Sequence, residues 1–268
     1  MFEPPPEEIA AGLARARTRL GPYADLRYAS EIGSTNDAAM AFALAGAPEG
    51  LSVLADRQTS GRGRRGNDWY SPPEAGIYLS VIVRPQVAAD VLPVLTLAAG
   101  VAVAQAVRDV TGLPVELKWP NDVVIGRPWR KLAGVLCEGV SAGKTVDAVV
   151  VGIGLNVLTT SYPPALAARA SALEGELGRP VDRAAMTVAM LERLRAIMER
   201  LRRDGRDGIS AAWREFGLAG FAGAAVRWRD GAGDRRGRPV DIAEDGALLV
   251  DVGGRMERII GGDVIWEQ

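Results

Sequence analysis

The chain has 268 residues, 48% hydrophobic and 24% charged, with a net charge of −1; this is a globular composition without the basic footprint of a nucleic-acid-binding chain. It contains no histidine, which excludes Ser-His-Asp and Cys-His nucleophilic sites, histidine-based zinc sites and histidine acids or bases. A single cysteine, Cys137, excludes an internal disulfide and fits a reducing cytoplasm.

The N-terminus, Pro4-Pro5-Pro6-Glu7-Glu8, lacks the basic-then-apolar pattern of a secretory signal. Residues Glu7–Leu20 read as an amphipathic helix carried by Ile9, Leu13 and Leu20. A strand is expected over Leu26–Ile32, after which Ser34-Thr35-Asn36 offers N-cap chemistry for a helix through Leu44. Leu51–Gln58 reads as a strand, a Gly/Arg/Pro-rich loop runs to Gly76, and Ile77–Val83 resumes the β pattern. Val91–Val110 reads as a long helix; its apolar run, about Val94–Val107, is interrupted by Thr96, Gly100 and Gln105 and falls short of the roughly 18 residues of a membrane span.

Short β segments follow at Val115–Trp119, Val123–Ile125, Lys131–Val140 and Val146–Val157, with turns at Gly126–Arg130 and Ser141-Ala142-Gly143. Helices are expected over Arg183–Arg203 and Ile209–Phe216. Beyond Gly217–Gly223 the texture becomes all-β, with strands at Ala225–Arg229, Pro239–Ala243, Ala247–Val252 and Met256–Trp266. The Arg-rich stretch Arg227–Arg238 reads as a solvated hairpin loop. The order predicts an α+β fold with a terminal β-barrel-like module, divided as 1–217 and 218–268.

Gly61-Arg62-Gly63-Arg64-Arg65-Gly66 matches the G-x-G-x-x-G pattern after a strand. A dinucleotide fold would start a helix here, and Pro72 and Pro73 forbid its body. What remains is a loop whose glycines permit close backbone approach and whose guanidinium forks suit phosphate or carboxylate. A bare surface loop and an RNA-contacting loop are the alternatives. Lys118-Trp119-Pro120-Asn121-Asp122 closes a short strand and is also good turn chemistry. Lys131 leads an apolar strand, where a solvated flank is the plainer reading. Along Val149–Asn156, Gly152, Gly154 and Asn156 share one face, which suits a flat ligand or tight backbone packing.

In this order, Ser34-Thr35-Asn36, Gln58 with Gly61–Gly66, Trp69, Lys118–Asp122, Arg130–Gly134 and Gly152–Asn156 resemble the catalytic domain of biotin protein ligases. The C-terminal module is similar to that family's SH3-like domain. The resemblance implies a class II aminoacyl-tRNA synthetase-like mixed sheet with flanking helices. It implies an enzyme that makes biotinyl-AMP from biotin and ATP, with Mg²⁺, and passes biotin to a lysine of a biotin carboxyl carrier domain.

It also implies roles by position. Ser34, Thr35, Asn36 and Gln58 would wall the biotin ring, with Gly61, Arg62, Gly134 and Gly152 beside them. Arg62, Arg64 and Arg65 would order over biotin and phosphates. Trp69 would stack on adenine and Asn156 read its edge, with Lys118 and Asn121 on the adenylate. Lys131 would contact the biotin carboxylate and acyl phosphate, and Asp122 would orient the incoming lysine. Arg62, Lys131 and Asp122 are thus the catalytic set, and no protein metal site is expected.

Two departures stand out. About thirty residues precede Ser34, too few for the helix-turn-helix of repressor members, so no DNA binding is expected. Glu267 stands where some members carry an arginine after the Gly-Gly-Asp turn. A homodimer is left open, and no membrane association is expected. A lipoate ligase of the same fold is the nearest alternative, and a non-catalytic nucleotide- or RNA-binding module the alternative from another class.

Overall fold

In the computed structural model, which describes residues 1–85, 92–142, 145–159, 162–231 and 233–267, the strands gather into two sheets. β1 (Leu26–Ile32), β2 (Ser52–Gln58), β3 (Gly76–Val83), β4 (Glu116–Lys118), β5 (Asp122–Ile125), β6 (Arg130–Ala142) and β7 (Thr145–Asn156) form the larger one. Their order is β1-β2-β3-β7-β6-β5-β4. β1 and β2 pair in parallel and the other neighbours antiparallel. A parallel pair needs a crossover, which α2 (Thr35–Leu44) supplies.

Period-two alternation divides the residues of this sheet between two apolar layers. Leu79, Val81, Val149, Val151 and Ile153 face a large core closed by α1 (Glu7–Leu20), α3 (Leu92–Thr111) and α6 (Arg183–Gly217). Val53, Ile82, Val140, Ala148 and Val150 face the other way, onto Ala39 and Ala43 of α2. All eight residues of β3 are buried, as expected of a strand covered on both faces. α3 is long and apolar enough to cross a membrane by length and composition. Here it is a core helix, with Leu95, Ala98, Val101 and Ala102 at 0% exposure. The start expected for it, Val91, lies outside the described residues, as does Gly143 of the expected Ser141–Gly143 turn; β6 runs on through Ala142.

Two short helices, α4 (Pro164–Ala167) and α5 (Leu173–Leu177), follow β7. The two expected C-terminal helices are the halves of α6, parted at Gly205, whose φ of 66° breaks the helical run.

The second sheet holds β8 (Ala225–Asp230), β9 (Gly233–Ile242), β10 (Leu248–Val252), β11 (Arg255–Ile259) and β12 (Val264–Glu267) in the order β11-β10-β9-β8-β12. The stretch expected as a solvated loop is instead the β8–β9 hairpin. Its arginines pair across strands: Arg235 with Glu257, Arg236 with Glu267, Arg238 with Asp251. The single strand expected over Met256–Trp266 is two, interrupted at Gly262, whose φ of 122° ends the extended run.

Candidate functional site

α2 covers the sheet face only as far as Ala148 and Val150. Beyond it the same face of β7 continues as Gly152 and Gly154, with Gly134 and Leu136 on β6 beside them, and a cleft of about 500 Å³ opens. Lys131 reaches this cleft through a bulge. Val123 pairs with Ala133 and Val124 with Lys131, so Leu132 is the extra residue. A bulge shifts the alternation by one, sending Leu132 and Ala133 to the core and Lys131 and Gly134 to the cleft.

The polar wall grows from the start of α2. Ser34 caps the helix, its Oγ accepting from the Asp37 amide at 3.4 Å, and this sets Thr35 and Asn36 on the first turn against the sheet. The Thr35 amide and hydroxyl both donate to Gln58 Oε1, at 2.9 and 3.0 Å, while Gln58 Nε2 donates to Ser71 Oγ at 2.9 Å. Ser80 Oγ donates to Asn36 Oδ1 at 2.6 Å and lies 2.8 Å from Thr35 Oγ1. Asn36 Nδ2 donates to Glu138 Oε2 at 2.7 Å. Gly152 is required here: a Cβ at that position would sit 2.1 Å from Asn36 Oδ1.

Gly154 is required for a second guest. A Cβ there would sit 2.3 Å from Trp69 Cε2, so the indole packs directly on the bared strand. The face expected to receive a flat ligand thus receives a flat side chain. Trp69 lines both the first cleft and an adjoining one of about 460 Å³, which also holds Tyr70, Trp129, Asn156, Tyr162 and Arg169. Lys118, Asp122 and Lys131 line both compartments as well. Lys131 Nζ is 2.6 Å from Asp122 Oδ1 and 5.1 Å from the centre of the Trp69 ring.

The charges at this junction are unevenly met. Burial holds the Lys118 ammonium below the usual lysine range, with Lys131 and Arg169 adding to the effect and Asp122 opposing it. Burial, and then the neighbouring Arg65, lowers Arg64 in the same way. Cations penalised by burial and by like charge favour an anionic ligand. Arg62 is different. Its guanidinium forks onto Glu138, at 3.0 and 2.8 Å, and reaches Asp37 at 2.6 Å, so its charge is met inside the protein.

Most of the expected site therefore converges. Ser34, Asn36, Gln58, Arg62, Arg64, Arg65, Trp69, Lys118, Asn121, Asp122, Lys131, Gly134 and Gly152 line the first cleft. Asn156 lines the second, where its Nδ2 donates to the carbonyls of Ser171 and Lys131 at 2.9 and 3.3 Å. Thr35 stands behind the wall. Gly61 serves packing: its Cβ would meet Ser71 Oγ and the Trp69 carbonyl at 2.6 Å. Arg64–Gly66 forms a 3₁₀ turn with Arg65 at φ 58°, and no long helix starts there.

Sequence reasoning missed Glu138, Asp37 and Ser80, and the second sheet's share of the cleft. Gly262, Asp263, Val264 and Ile265 line it, Asp263 pairs with Arg65 at 2.9 Å, and Trp119 Nε1 donates to the Gly246 carbonyl at 2.9 Å. One signal for Glu138 was readable: a carboxylate in even register with Gly134 on an otherwise apolar strand. Glu267 pairs with Arg227 and Arg236 and so belongs to the second sheet's own framework.

Residues 28–156 match the biotin/lipoate A/B protein ligase family, and residues 222–266 the biotin protein ligase C-terminal domain. Over 249 residues the chain is 35% identical to the biotin–[acetyl-CoA-carboxylase] ligase of Mycobacterium tuberculosis, covering 91% of this chain and 89% of that protein. Over 245 residues it is 32% identical to the bifunctional ligase/repressor BirA of Bacillus subtilis, covering 89% and 73%. The biotin protein ligase of Aquifex aeolicus in complex with biotin and ATP superposes with a TM-score of 0.77 at 28% identity, covering 91% of this chain and 99% of that one.

Proposed function

The chain belongs to the biotin protein ligase family, and from that premise we propose how its two compartments divide the work of an ATP-dependent biotin ligase. Biotin occupies the polar cleft walled by Ser34, Asn36 and Gln58. The adenosine of ATP occupies the adjoining one, with its base on Trp69. The observation that carries this reading is the junction: two clefts that share Trp69, Lys118, Asp122 and Lys131.

Biotin's carboxylate is already ionised at neutral pH. Its oxygen attacks the α-phosphorus, the bond to pyrophosphate breaks, and biotinyl-5'-AMP remains. Two anions must meet for this. Lys131 at the junction, with Lys118 and Arg64, offsets their repulsion and stabilises the charge that develops. Holding the reactants in line contributes about 7–11 kcal/mol of barrier reduction. Mg²⁺ is expected as part of the ATP complex, carried on its phosphates; the cationic lining is built to hold phosphate rather than a metal ion. In the second step the amine of a carrier-domain lysine attacks the acyl carbon and AMP leaves. Asp122, released from Lys131, orients that amine and takes its proton.

The relatives are biotin ligases, which sets aside the lipoate and non-catalytic readings. We divide the chain into a catalytic domain, 1–217, and a C-terminal domain, 218–268. We also propose that the chain acts in the cytoplasm and does not bind operator DNA. α1, ahead of β1, buries Ile9, Leu13 and Ala16 in the core and is not free to serve as a recognition helix. An operator-specific, salt-dependent gel shift would overturn this.

The central test mixes the protein, ATP-Mg²⁺, biotin and a carrier domain, then weighs the carrier. A biotin-sized mass gain on one lysine is expected. No gain, or a lipoyl gain when lipoate is offered beside biotin, defeats the proposal.

A further inference from the structure

Glu138 on β6 touches two of the groups that line the biotin compartment. Its Oε2 accepts from Asn36 Nδ2 at 2.7 Å and from Arg62 Nη2 at 2.8 Å, and its Oε1 accepts from Arg62 Nη1 at 3.0 Å. A carboxylate accepts only, and an asparagine amide has one accepting and one donating end. Glu138 on one side and the Ser80 hydroxyl on the other therefore admit one orientation of Asn36. Gly152 clears the space for it, since any Cβ there would meet Asn36 Oδ1.

Arg62 stands at the start of the Gly/Arg loop. Its backbone forms an isolated antiparallel bridge with Asp68, and Trp69 N donates to the Gly61 carbonyl at 2.9 Å. The base of the loop is thus closed by the backbone, and the Arg62 guanidinium ties it down to β6 through Glu138 and to α2 through Asp37. An ion pair this open to water contributes little when isolated. A bidentate fork that also fixes a buried amide is a network, and networks hold geometry more firmly than their separate pairs.

We propose that Glu138 is a positioning residue for biotin, acting through Arg62 and Asn36. It keeps Asn36 in register with the biotin wall and anchors the base of the Gly/Arg loop. Arg62 is on this account an anchor, its charge spent on Glu138 and Asp37. The inference rests on the cleft being the biotin site.

Glu138→Gln in the full chain is the test, because it keeps the shape and replaces one accepting oxygen with an NH₂ that cannot face Arg62. Three outcomes are expected. KM for biotin rises about tenfold or more while KM for ATP stays within twofold. Trypsin cuts after Arg64 and Arg65 about tenfold faster, while the thermal midpoint stays within a few degrees. Arg62→Gln also raises KM for biotin, and the double variant falls well short of the product of the two single effects, since both remove the shared Arg62–Glu138 contact. Asp37→Asn, which frees one of two anchors and leaves Asn36 alone, shows a smaller effect and serves if Glu138→Gln does not fold.

An unchanged KM for biotin in Glu138→Gln, or additive single effects, overturns the positioning role. The trypsin readout needs no biotin. If wild-type protein shows no biotin-dependent turnover, the function reading fails separately, and an unchanged cutting rate still refutes the anchor.

Discussion

Two glycines two residues apart on β7 offer a sharp kinetic split. Gly154→Ala places a methyl group 2.3 Å from Trp69 Cε2. Ordinary carbon contact begins near 3.5 Å, so the indole must retreat by about 1.2 Å. A misplacement of about 1 Å can cost on the order of 10²-fold in rate, which is about 2.7 kcal/mol. In the proposed assignment Trp69 is the wall the nucleotide shares with the junction, so the loss should fall on ATP. Gly152→Ala instead places its methyl group 2.1 Å from Asn36 Oδ1. Asn36 then loses its bonds to Ser80 and Glu138. These are worth about 1 and about 1.5–3 kcal/mol respectively, or roughly 10²- to 10³-fold in affinity for biotin. The assay is biotin-dependent ATP–pyrophosphate exchange, titrated in each substrate at saturation of the other, beside calorimetric binding of biotin alone. Gly154→Ala should raise KM for ATP and lower kcat with biotin binding changed less than about threefold. Gly152→Ala should do the reverse. If both variants weaken biotin and ATP alike, the assignment of the two compartments is wrong.

Lys131→Ala should reduce biotinyl-AMP formation by at least about 10³-fold with an unchanged circular dichroism spectrum; near wild-type exchange would remove Lys131 from the reacting centre. Lys118→Met should lose on the order of 10²-fold in adenylation yet melt higher at neutral pH. Burial lowers the Lys118 pKa in the folded protein, so its charged form penalises folding below that value. Between the lowered value and about 10.4 the unfolded chain holds more protons, and wild-type stability should rise with pH relative to Lys118→Met; a flat difference between their melting curves would contradict this. Cys137 should resist alkylation. Burial pushes its thiol up to about 12, which leaves it at pH 8 roughly 10³-fold less thiolate than a free cysteine. Labelling as fast as after unfolding would show that the thiol is open.

Much of the architecture was legible because it rests on local signals. The helix at Glu7–Leu20 carries its own apolar spacing, the helix at Thr35–Leu44 its N-cap, and the strands around Val81 and Val151 their own apolar runs, and tertiary packing had only to agree with them. The site was legible in composition but not in aim. Strict alternation from Ala133 and Val135 would send Lys131 into the core. The bulge at Leu132, created by pairing with β5, turns it outward, and no local feature announces that pairing. The partners of Arg62 were hidden for a related reason: Glu138 and Asp37 meet it across 76 and 25 residues of chain. The Arg-rich part of the β8–β9 hairpin misled because its arginines are met by carboxylates on other strands. Arg235 finds Glu257 and Arg238 finds Asp251 only once the second sheet has formed.

Two of the second sheet's ties to the cleft differ in strength, and the difference suits their places. Trp119 is 2% exposed, and its indole N–H is satisfied by the Gly246 carbonyl. Breaking that bond would leave a buried donor unpaired, at about 1–3 kcal/mol. This tie holds the Lys118–Asp122 turn and should not move during catalysis. Arg65 and Asp263 pair with side-chain exposures of 46% and 80%, where an ion pair contributes about 0–1 kcal/mol. That contact can open and close at little cost. In the proposed reaction, a turn that positions Lys118 and Asp122 against a labile acyl phosphate needs the firm tie. A loop that must admit two substrates, exclude water from the mixed anhydride and then admit a carrier lysine needs the weak one. With Glu267 committed to Arg227 and Arg236, the influence we propose for the C-terminal domain on the reaction runs through the Gly246 tie and the cleft-lining segment Gly262–Ile265.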